Sequence, residues 1–215
     1  MNQNIIIRNE TPADYDAVEK MTRLAFYNLY VPGCNEHYLV RMMRPHPDFV
    51  PELDLVLELE GRIIGNVMYT KTKLVDEAGE EKHILTFGPV CIAPEFQRMG
   101  YGKLLLEESF RRALALGYDV IVIFGNPNNY VSRGFISCKK RNISLSSGVC
   151  PSAMMVKELK PDVLDGRHWI YRQSAVFDDL DEVAAERYDE TLEPMEKKFQ
   201  PSQEEFYISV HSIVQ

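Results

Sequence analysis

The sequence contains no long hydrophobic run and no recognisable export signal. A membrane helix needs roughly 18–20 apolar residues, whereas the longest apolar runs here, such as Val120–Phe124, are no longer than a strand. The first ten residues lack a basic segment and an extended apolar stretch, so we predict no signal peptide and a cytoplasmic location. With 45% apolar and 26% charged residues, the composition excludes a disordered or fibrous chain.

The sequence also lacks any paired-cysteine motif. Its four cysteines are Cys34, Cys91, Cys138 and Cys150, and no two of them form a CxxC pair or match a zinc-site spacing. We therefore expect no metal cofactor. In a reducing cytosol the four thiols should be free, and small buried side chains are their simplest structural role.

A basic surface is missing as well. The net charge is −8, and residues 161–205 carry 13 acidic and 5 basic side chains, whereas residues 1–160 carry 19 of each. Phosphate neutralisation supplies most nucleic-acid affinity, so we expect neither nucleic acid nor a membrane surface as a partner. The acidic segment could attract a cationic substrate or could simply be a solvated helical face.

Strand and helix patterns alternate along the chain and predict a mixed α/β fold with an antiparallel start and one parallel crossover. Length and charge suggest a domain over residues 1–160, followed by an acidic extension over 161–215 that packs on the domain or forms an interface, which leaves a homodimer open. The predicted strands cover residues 4–8, 53–60, 63–73, 82–93, 119–124, 134–138 and 153–157. One predicted helix begins at Thr11, and three others cover residues 35–43, 101–116 and 175–195. The apolar side of the last of these carries Val176, Leu180, Val183, Ala184 and Tyr188.

Within this pattern, Gly88-Pro89 interrupts the strand over residues 82–93. Proline has no N–H to donate to a strand ladder, so we expect a bulge or an unpaired stretch there. Further along, Trp169 and Tyr171 indicate a segment that docks back onto the domain.

A glycine loop lies between that strand and the strongest predicted helix. Gly100 and Gly102 allow close backbone approach, and the helix N-terminus offers unpaired N–H groups, so a phosphate or pyrophosphate could bind there. A plain tight turn is the alternative. The loop has no GxxxxGK[ST] motif, and Leu105 stands where a dinucleotide fingerprint needs its third glycine.

Three motifs in register resemble the GNAT superfamily of N-acetyltransferases. Gln97-Arg98-Met99-Gly100-Tyr101-Gly102 resembles its Q/R-x-x-G-x-G/A motif and follows an apolar strand ending in Val90–Pro94. Tyr130-Val131-Ser132-Arg133-Gly134-Phe135 resembles its Y-x-x-x-G-F element, and Thr11–Asp14 is similar to the start of its first helix. The resemblance covers roughly residues 4–158.

This resemblance implies a GNAT-like acyl-CoA N-acyltransferase fold with a splayed central sheet, and acetyl-CoA as cosubstrate. It implies that the pantetheine arm pairs with Val90 and Ile92 by strand addition, that the Ile92 N–H polarises the thioester carbonyl, and that Tyr130 acts as general acid. The implied cofactor-binding residues are Val90, Cys91, Ile92, Gln97, Arg98, Met99, Gly100, Tyr101, Gly102, Lys103, Asn126, Asn129 and Tyr130.

The function implied is an acyltransferase that moves the acetyl group to a primary amine of a small molecule or a protein by direct attack in a ternary complex. The alternative is a non-catalytic acyl-CoA binding or sensing module, and retention of Tyr130 favours the enzyme. No general base is assigned, although His83, Glu81, Glu60 and Glu58 are candidates. We expect the acceptor pocket to come from residues 27–50 together with the C-terminal extension. The candidate lining residues within 27–50 are Tyr27, Tyr30, Cys34, Glu36, His37 and Tyr38.

Overall fold

A computed structural model describes residues 4–214 and places nine strands in one sheet. Two parts of the chain lie outside the described residues. They are residues 1–3, in the N-terminal segment where we predict no signal peptide, and residue 215, at the end of the predicted extension. The strands are β1 (Ile5–Asn9), β2 (Leu55–Leu59), β3 (Arg62–Asp76), β4 (Glu81–Ile92), β5 (Val120–Phe124), β6 (Ile136–Ser137), β7 (Ile143–Ser144), β8 (Met154–Glu158) and β9 (Trp169–Arg172).

Seven α-helical segments accompany the sheet in the described part of the chain. They are α1 (Tyr15–Phe26), α2 (Glu36–Met43), α3 (Tyr101–Ala115), α4 (Pro127–Tyr130), α5 (Ala175–Asp178), α6 (Glu182–Asp189) and α7 (Pro201–His211). The predicted start at Thr11 is confirmed as a short 3-10 turn leading into α1, where the Asp14 carboxylate accepts hydrogen bonds from the Thr11 N–H and hydroxyl at 2.8 and 2.7 Å.

The sheet order β1-β2-β3-β4-β5-β8-β6 contains a parallel pair at its centre, β4 beside β5. Strands β1 to β4 pair antiparallel with their neighbours. By contrast, β4 and β5 pair at a single register position, Leu85 with Ile121. The two strands diverge beyond that position, and the divergence opens the sheet on the side toward Ile92.

The interruption expected at Gly88-Pro89 is present as a bulge. Tyr69 on β3 pairs with Phe87 and Val67 pairs with Val90, so Met68 alone lies opposite Gly88 and Pro89. A ladder that loses a donor at proline accommodates the extra residue in this way.

The C-terminal region differs from the single helix predicted over residues 175–195. Two short helices, α5 and α6, replace it because the Asp181 side chain accepts hydrogen bonds from the Val183 and Ala184 N–H groups and so caps a new helix. The predicted apolar side is wrong at Val183, which is 57% exposed, while Ala185 is fully buried.

The expected docking of Trp169 and Tyr171 is confirmed, since β9 pairs with β3 and β7 and both side chains are buried. The division at residue 160 and the homodimer stay predictions. All four cysteines are free and buried. Within residues 4–214, no helix is both long and apolar enough to cross a membrane.

Candidate functional site

The divergence of β4 from β5 creates a cavity of about 400 Å³, which we call the glycine-loop cavity. One position beyond the Leu85–Ile121 pair, the Thr86 hydroxyl on β4 donates a hydrogen bond to the Val122 carbonyl on β5 and bridges the strands as they separate. The lining residues are Ala25, Phe26, Leu29, Tyr30, Val90, Cys91, Ile92, Gln97, Arg98, Gly100, Gly102, Lys103, Leu106, Asn129, Tyr130 and Arg133.

The backbone of β4 faces this cavity at alternate residues. The Ala93 N–H donates to the Ile64 carbonyl on β3 at 2.8 Å, in register with the pairs Ile92–Gly65 and Val90–Val67. Because hydrogen bonds to one neighbour alternate along an antiparallel ladder, the N–H and C=O groups of Val90 and Ile92 point away from β3, toward the opening. The Ile92 carbonyl accepts the Gln97 side-chain amide at 3.0 Å on that side.

The glycine loop leaves open space above the N-terminus of α3. Gly100 has φ +93°, and Arg98 adopts a left-handed φ of +61°, so the chain turns sharply into the helix. A Cβ on Gly102 would meet the Ile92 side chain at 3.6 Å, an ordinary contact distance, so a small side chain fits at that position. Arg98 and Lys103 bring positive charge to the rim, where Lys103 Nζ lies 3.6 Å from Glu107.

Tyr130 ends α4 and stands between β4 and the loop before β6. Its ring centroid lies 5.7 Å from Phe87 and 5.8 Å from Phe135. Gly125 makes room for it, because a Cβ there would lie 2.6 Å from Tyr130 Cε2. Burial raises the pKa of the Tyr130 hydroxyl, so the phenol keeps its proton at neutral pH and can act as an acid.

Three predicted site residues do not line the cavity. Met99 is 61% exposed, and Tyr101 is buried with its ring against Phe96 at 6.1 Å. Asn126 caps α4 by accepting the Asn128 N–H at 3.0 Å, whereas Asn129 does line the cavity.

Some lining residues were not predicted from the sequence. Arg133 lies inside the Tyr130–Phe135 motif, and its charge next to that motif could have drawn attention to it. Phe26 and Leu29, from the end of α1 and the turn after it, reach the cavity only through tertiary packing.

A second cavity, about 330 Å³, adjoins the first, and we call it the aromatic cavity. It shares Phe26, Tyr30, Val90 and Tyr130 with the glycine-loop cavity, so Tyr130 lies between the two. Its remaining lining residues are Val31, Asn35, Glu36, Leu39, Phe87, Gly88, Pro89, Phe124, Gly125, Leu180 and Phe206.

The two cavities carry opposite charge. Arg98, Lys103 and Arg133 line the glycine-loop cavity, whereas Glu36 is the one charged side chain among the described residues lining the aromatic cavity. Glu36 is half-buried at the first residue of α2, and its carboxylate accepts the Asn35 N–H at 3.1 Å. Burial raises the pKa of this carboxyl to about 7, so at neutral pH it is poised to take up or release a proton.

The base candidates named from the sequence lie elsewhere. Glu58 pairs with Arg8, and Glu81 pairs with Lys73. Glu60 accepts the Asn4 N–H, and His83 lies in a separate surface depression with Lys73 and Arg172.

Cys91 lines the glycine-loop cavity but is a neutral thiol. Its sulfur lies 3.5 Å from the Thr22 hydroxyl, and burial raises its pKa to about 11. A thiolate nucleophile therefore has no support at this position.

The residues expected to form the acceptor pocket have two different roles. Tyr30 and Glu36 line the aromatic cavity. The others hold the C-terminal segment: the Tyr27 hydroxyl donates to the Met195 carbonyl at 2.9 Å, Tyr38 packs on Tyr188, and His37 Nε2 lies 3.2 Å from Asp189. Cys34 Sγ in turn contacts His37 Nδ1 at 3.3 Å. Among residues 4–214, no group of three or more His, Cys, Asp or Glu side chains could hold a metal ion.

Comparison with known proteins adds a family and a fold. Residues 23–138 match the family model described as the acetyltransferase (GNAT) family. The uncharacterised N-acetyltransferase YhbS of Escherichia coli is 26% identical over 163 residues, which are 75% of this chain and 92% of that protein. The uncharacterised N-acetyltransferase YjhQ of E. coli is 28% identical over 89 residues, 41% of this chain, and the alignment spans about half (48%) of that protein.

Two solved structures confirm the predicted fold class. The crystal structure of E. coli YhbS in complex with CoA has a TM-score of 0.69 at 22% identity, covering 84% of this chain and 96% of that one. A GNAT acetyltransferase from Brucella melitensis in complex with acetyl-CoA has a TM-score of 0.64 at 22% identity, covering 81% of this chain and 99% of that one.

Proposed function

Because this chain belongs to the GNAT family of acetyltransferases, we propose that it transfers the acetyl group of acetyl-CoA to a primary amine in a ternary complex. In this proposal the glycine-loop cavity binds the cosubstrate and the aromatic cavity binds the acceptor. When bound, acetyl-CoA supplies an acyl group already activated as a thioester. The four free, buried cysteines support a further proposal, that the protein works in a reducing, cytoplasmic setting.

The residues of the glycine-loop cavity fit such a ligand. The backbone N–H and C=O groups of Val90 and Ile92 face the opening. Those of Val90 and the C=O of Ile92 can pair with an extended amide-containing arm, which leaves the Ile92 N–H for the acyl group. The open space at Gly100, before the N-terminus of α3, suits a pyrophosphate. Arg98, Lys103 and Arg133 can complement its charge.

Two groups of this chain would carry the chemistry. The Ile92 N–H would stabilise the negative charge that develops on the acyl oxygen. Tyr130 would donate its phenolic proton to the departing sulfur, which suits a group whose burial keeps it protonated.

The observation that carries this proposal is the position of Tyr130 between two adjoining cavities. A direct transfer requires the amine and the acyl carbon to meet within reach of one acid. The position of Tyr130 would meet that requirement, because Tyr130 lines both the glycine-loop cavity and the aromatic cavity.

Gly102 offers a clean test of the cosubstrate site. Gly102 lines the glycine-loop cavity, so Gly102→Glu brings a bulky carboxylate to the proposed phosphate position. We expect coenzyme A affinity to fall at least 10-fold in calorimetric titration. Gly102→Ala is the matched control, because its Cβ meets only an ordinary 3.6 Å contact with Ile92 and it should retain most of the affinity. Equal coenzyme A affinity in Gly102→Glu and Gly102→Ala would refute the assignment of the glycine-loop cavity as the cosubstrate site.

Turnover is tested separately by measuring free thiol released from acetyl-CoA with a panel of amines. Tight binding of acetyl-CoA with no acceleration by any amine would instead favour the non-catalytic sensing module.

A further inference from the structure

We propose that the acceptor is a compact primary amine on an aromatic or similarly apolar body, without a carboxylate of its own, and that Glu36 receives its ammonium group. This inference rests on the proposed acetyl transfer. It assigns the substrate class of the aromatic cavity and adds a catalytic residue, which the sequence had left open.

The shape and polarity of the aromatic cavity favour such a body. Its walls include the rings of Phe26, Tyr30, Phe87, Phe124, Tyr130 and Phe206. The Phe206 ring on α7 lies 4.2 Å from that of Tyr30, centroid to centroid, so the C-terminal segment completes the enclosure. The cavity volume of about 330 Å³ lies at the small end of the range for small-molecule pockets. Burial of an apolar ligand against this apolar lining stabilises the complex.

The charge of the cavity favours a cation. Two other shielded carboxylates have arginine partners: Asp14 bonds Arg8 at 2.7 Å, and Asp189 bonds Arg23 at 2.6 Å. Glu36 has no such partner among the described residues that line its cavity. A carboxylate held among aromatic rings without a counter-charge is costly unless a ligand supplies the charge. A ligand ammonium would do so, whereas a ligand carboxylate would be repelled.

The same carboxylate would account for the missing base. Glu36 would accept one proton from the ammonium and pass it to solvent, leaving a neutral nitrogen. That nitrogen forms a bond to the acyl carbon as the bond from the carbon to sulfur breaks. Tyr130 gives its proton to the sulfur and regains one from the new amide nitrogen, so that one ammonium ion and one thioester yield one amide, one thiol and one released proton.

The titratable neighbours of Glu36 leave it as the group that changes charge near neutral pH. Burial raises the pKa of Tyr30 and of Cys34 to about 12 each, and it also raises that of Tyr130. The next residue on α2, His37, has its pKa lowered by burial and stays uncharged at neutral pH. A kinetic ionisation near pH 7 in the free enzyme would therefore report Glu36.

The first experiment compares three amines with the intact protein after calorimetry has shown that acetyl-CoA binds. The probes are 2-phenylethylamine, phenylalanine and spermidine, and the readout is thiol release. We expect kcat/KM to be at least 10-fold higher for 2-phenylethylamine than for either of the others. Preference for spermidine or for phenylalanine would overturn the inference while leaving the acetyl transfer intact. If acetyl-CoA did not bind, the proposed transfer and this inference would both be overturned. If acetyl-CoA bound but no amine were turned over, this inference would again be overturned.

The second experiment assigns the role of Glu36. Glu36→Gln should lower kcat/KM for 2-phenylethylamine at least 10-fold and abolish the rise of kcat/KM with pH near 7, with acetyl-CoA affinity unchanged. The matched control is Glu52→Gln, which removes an exposed carboxylate that lines neither cavity. Phe206→Ala should reduce the preference for the aryl amine without removing the pH dependence. A pH profile that survives in Glu36→Gln would refute the assignment of the base.

Discussion

At the scale of single residues, Tyr130 is the position on which the proposed chemistry depends most. Tyr130→Phe keeps the ring against Phe87 and Phe135 but removes the proton donor. We expect coenzyme A affinity to stay within a few-fold. Turnover at saturating cosubstrate should fall about 10²-fold or more, since general acid catalysis typically contributes that much, which corresponds to about 3 kcal/mol of barrier.

The matched control for this variant is Tyr118→Phe, which removes a hydroxyl from a half-buried tyrosine that lines neither cavity. Near-normal turnover of Tyr130→Phe, in single-turnover as well as steady-state measurements, would move the proton donor to water. A loss seen only in single-turnover measurements would indicate that product release limits the wild-type enzyme.

At the scale of elements, α1 is joined to the C-terminal segment by a buried ion pair. Asp189 at the end of α6 bonds Arg23 on α1 at 2.6 Å, and Arg23 also donates to the Glu193 carbonyl at 2.8 Å. Asp189→Asn leaves the guanidinium buried without its counter-charge. We expect the free energy of unfolding to fall by about 3–5 kcal/mol, with faster amide hydrogen exchange across α6 and α7.

Glu190→Gln provides the comparison, because it neutralises an exposed carboxylate one residue away. Unfolding curves in urea measure the stability of both variants. If Asp189→Asn were as stable as Glu190→Gln, the ion pair would be structurally unimportant. The consequence would reach the site, since α7 carries Phe206 into the aromatic cavity.

At the scale of the whole molecule, the acidic excess lies next to the proposed acceptor site. Exposed carboxylates flank Leu180 at the rim, namely Asp178, Asp179, Asp181 and Glu182. We expect kcat/KM for a cationic amine to fall when ionic strength rises from about 0.02 to about 0.5 M, because salt screens the attraction. An arylamine that is uncharged at the same pH should show little change. Equal salt dependence of the two amines would mean that the acidic segment is only a solvated surface.

Much of the fold could be predicted because its signals are local. The apolar, partly alternating pattern of β2, the stripe on α3 and the proline that interrupts β4 each depend on residues close together in the chain. The prediction of one helix over residues 175–195 was wrong because the periodic pattern continued through Asp181. The capping hydrogen bonds of that side chain decided the boundary.

Some residues of the candidate site could be predicted from local motifs, and others could not. The glycine loop and Tyr130 carry motifs that are complete within a few residues, so the sequence alone determined them and, through them, the family. Glu36 and Phe206 are 170 positions apart, and their types occur at many other places. Only the tertiary structure placed both beside Tyr130, because a cavity forms where β4 and β5 diverge and where the packing of α1, α2 and α7 encloses the space. Packing between distant segments leaves no local pattern in a sequence.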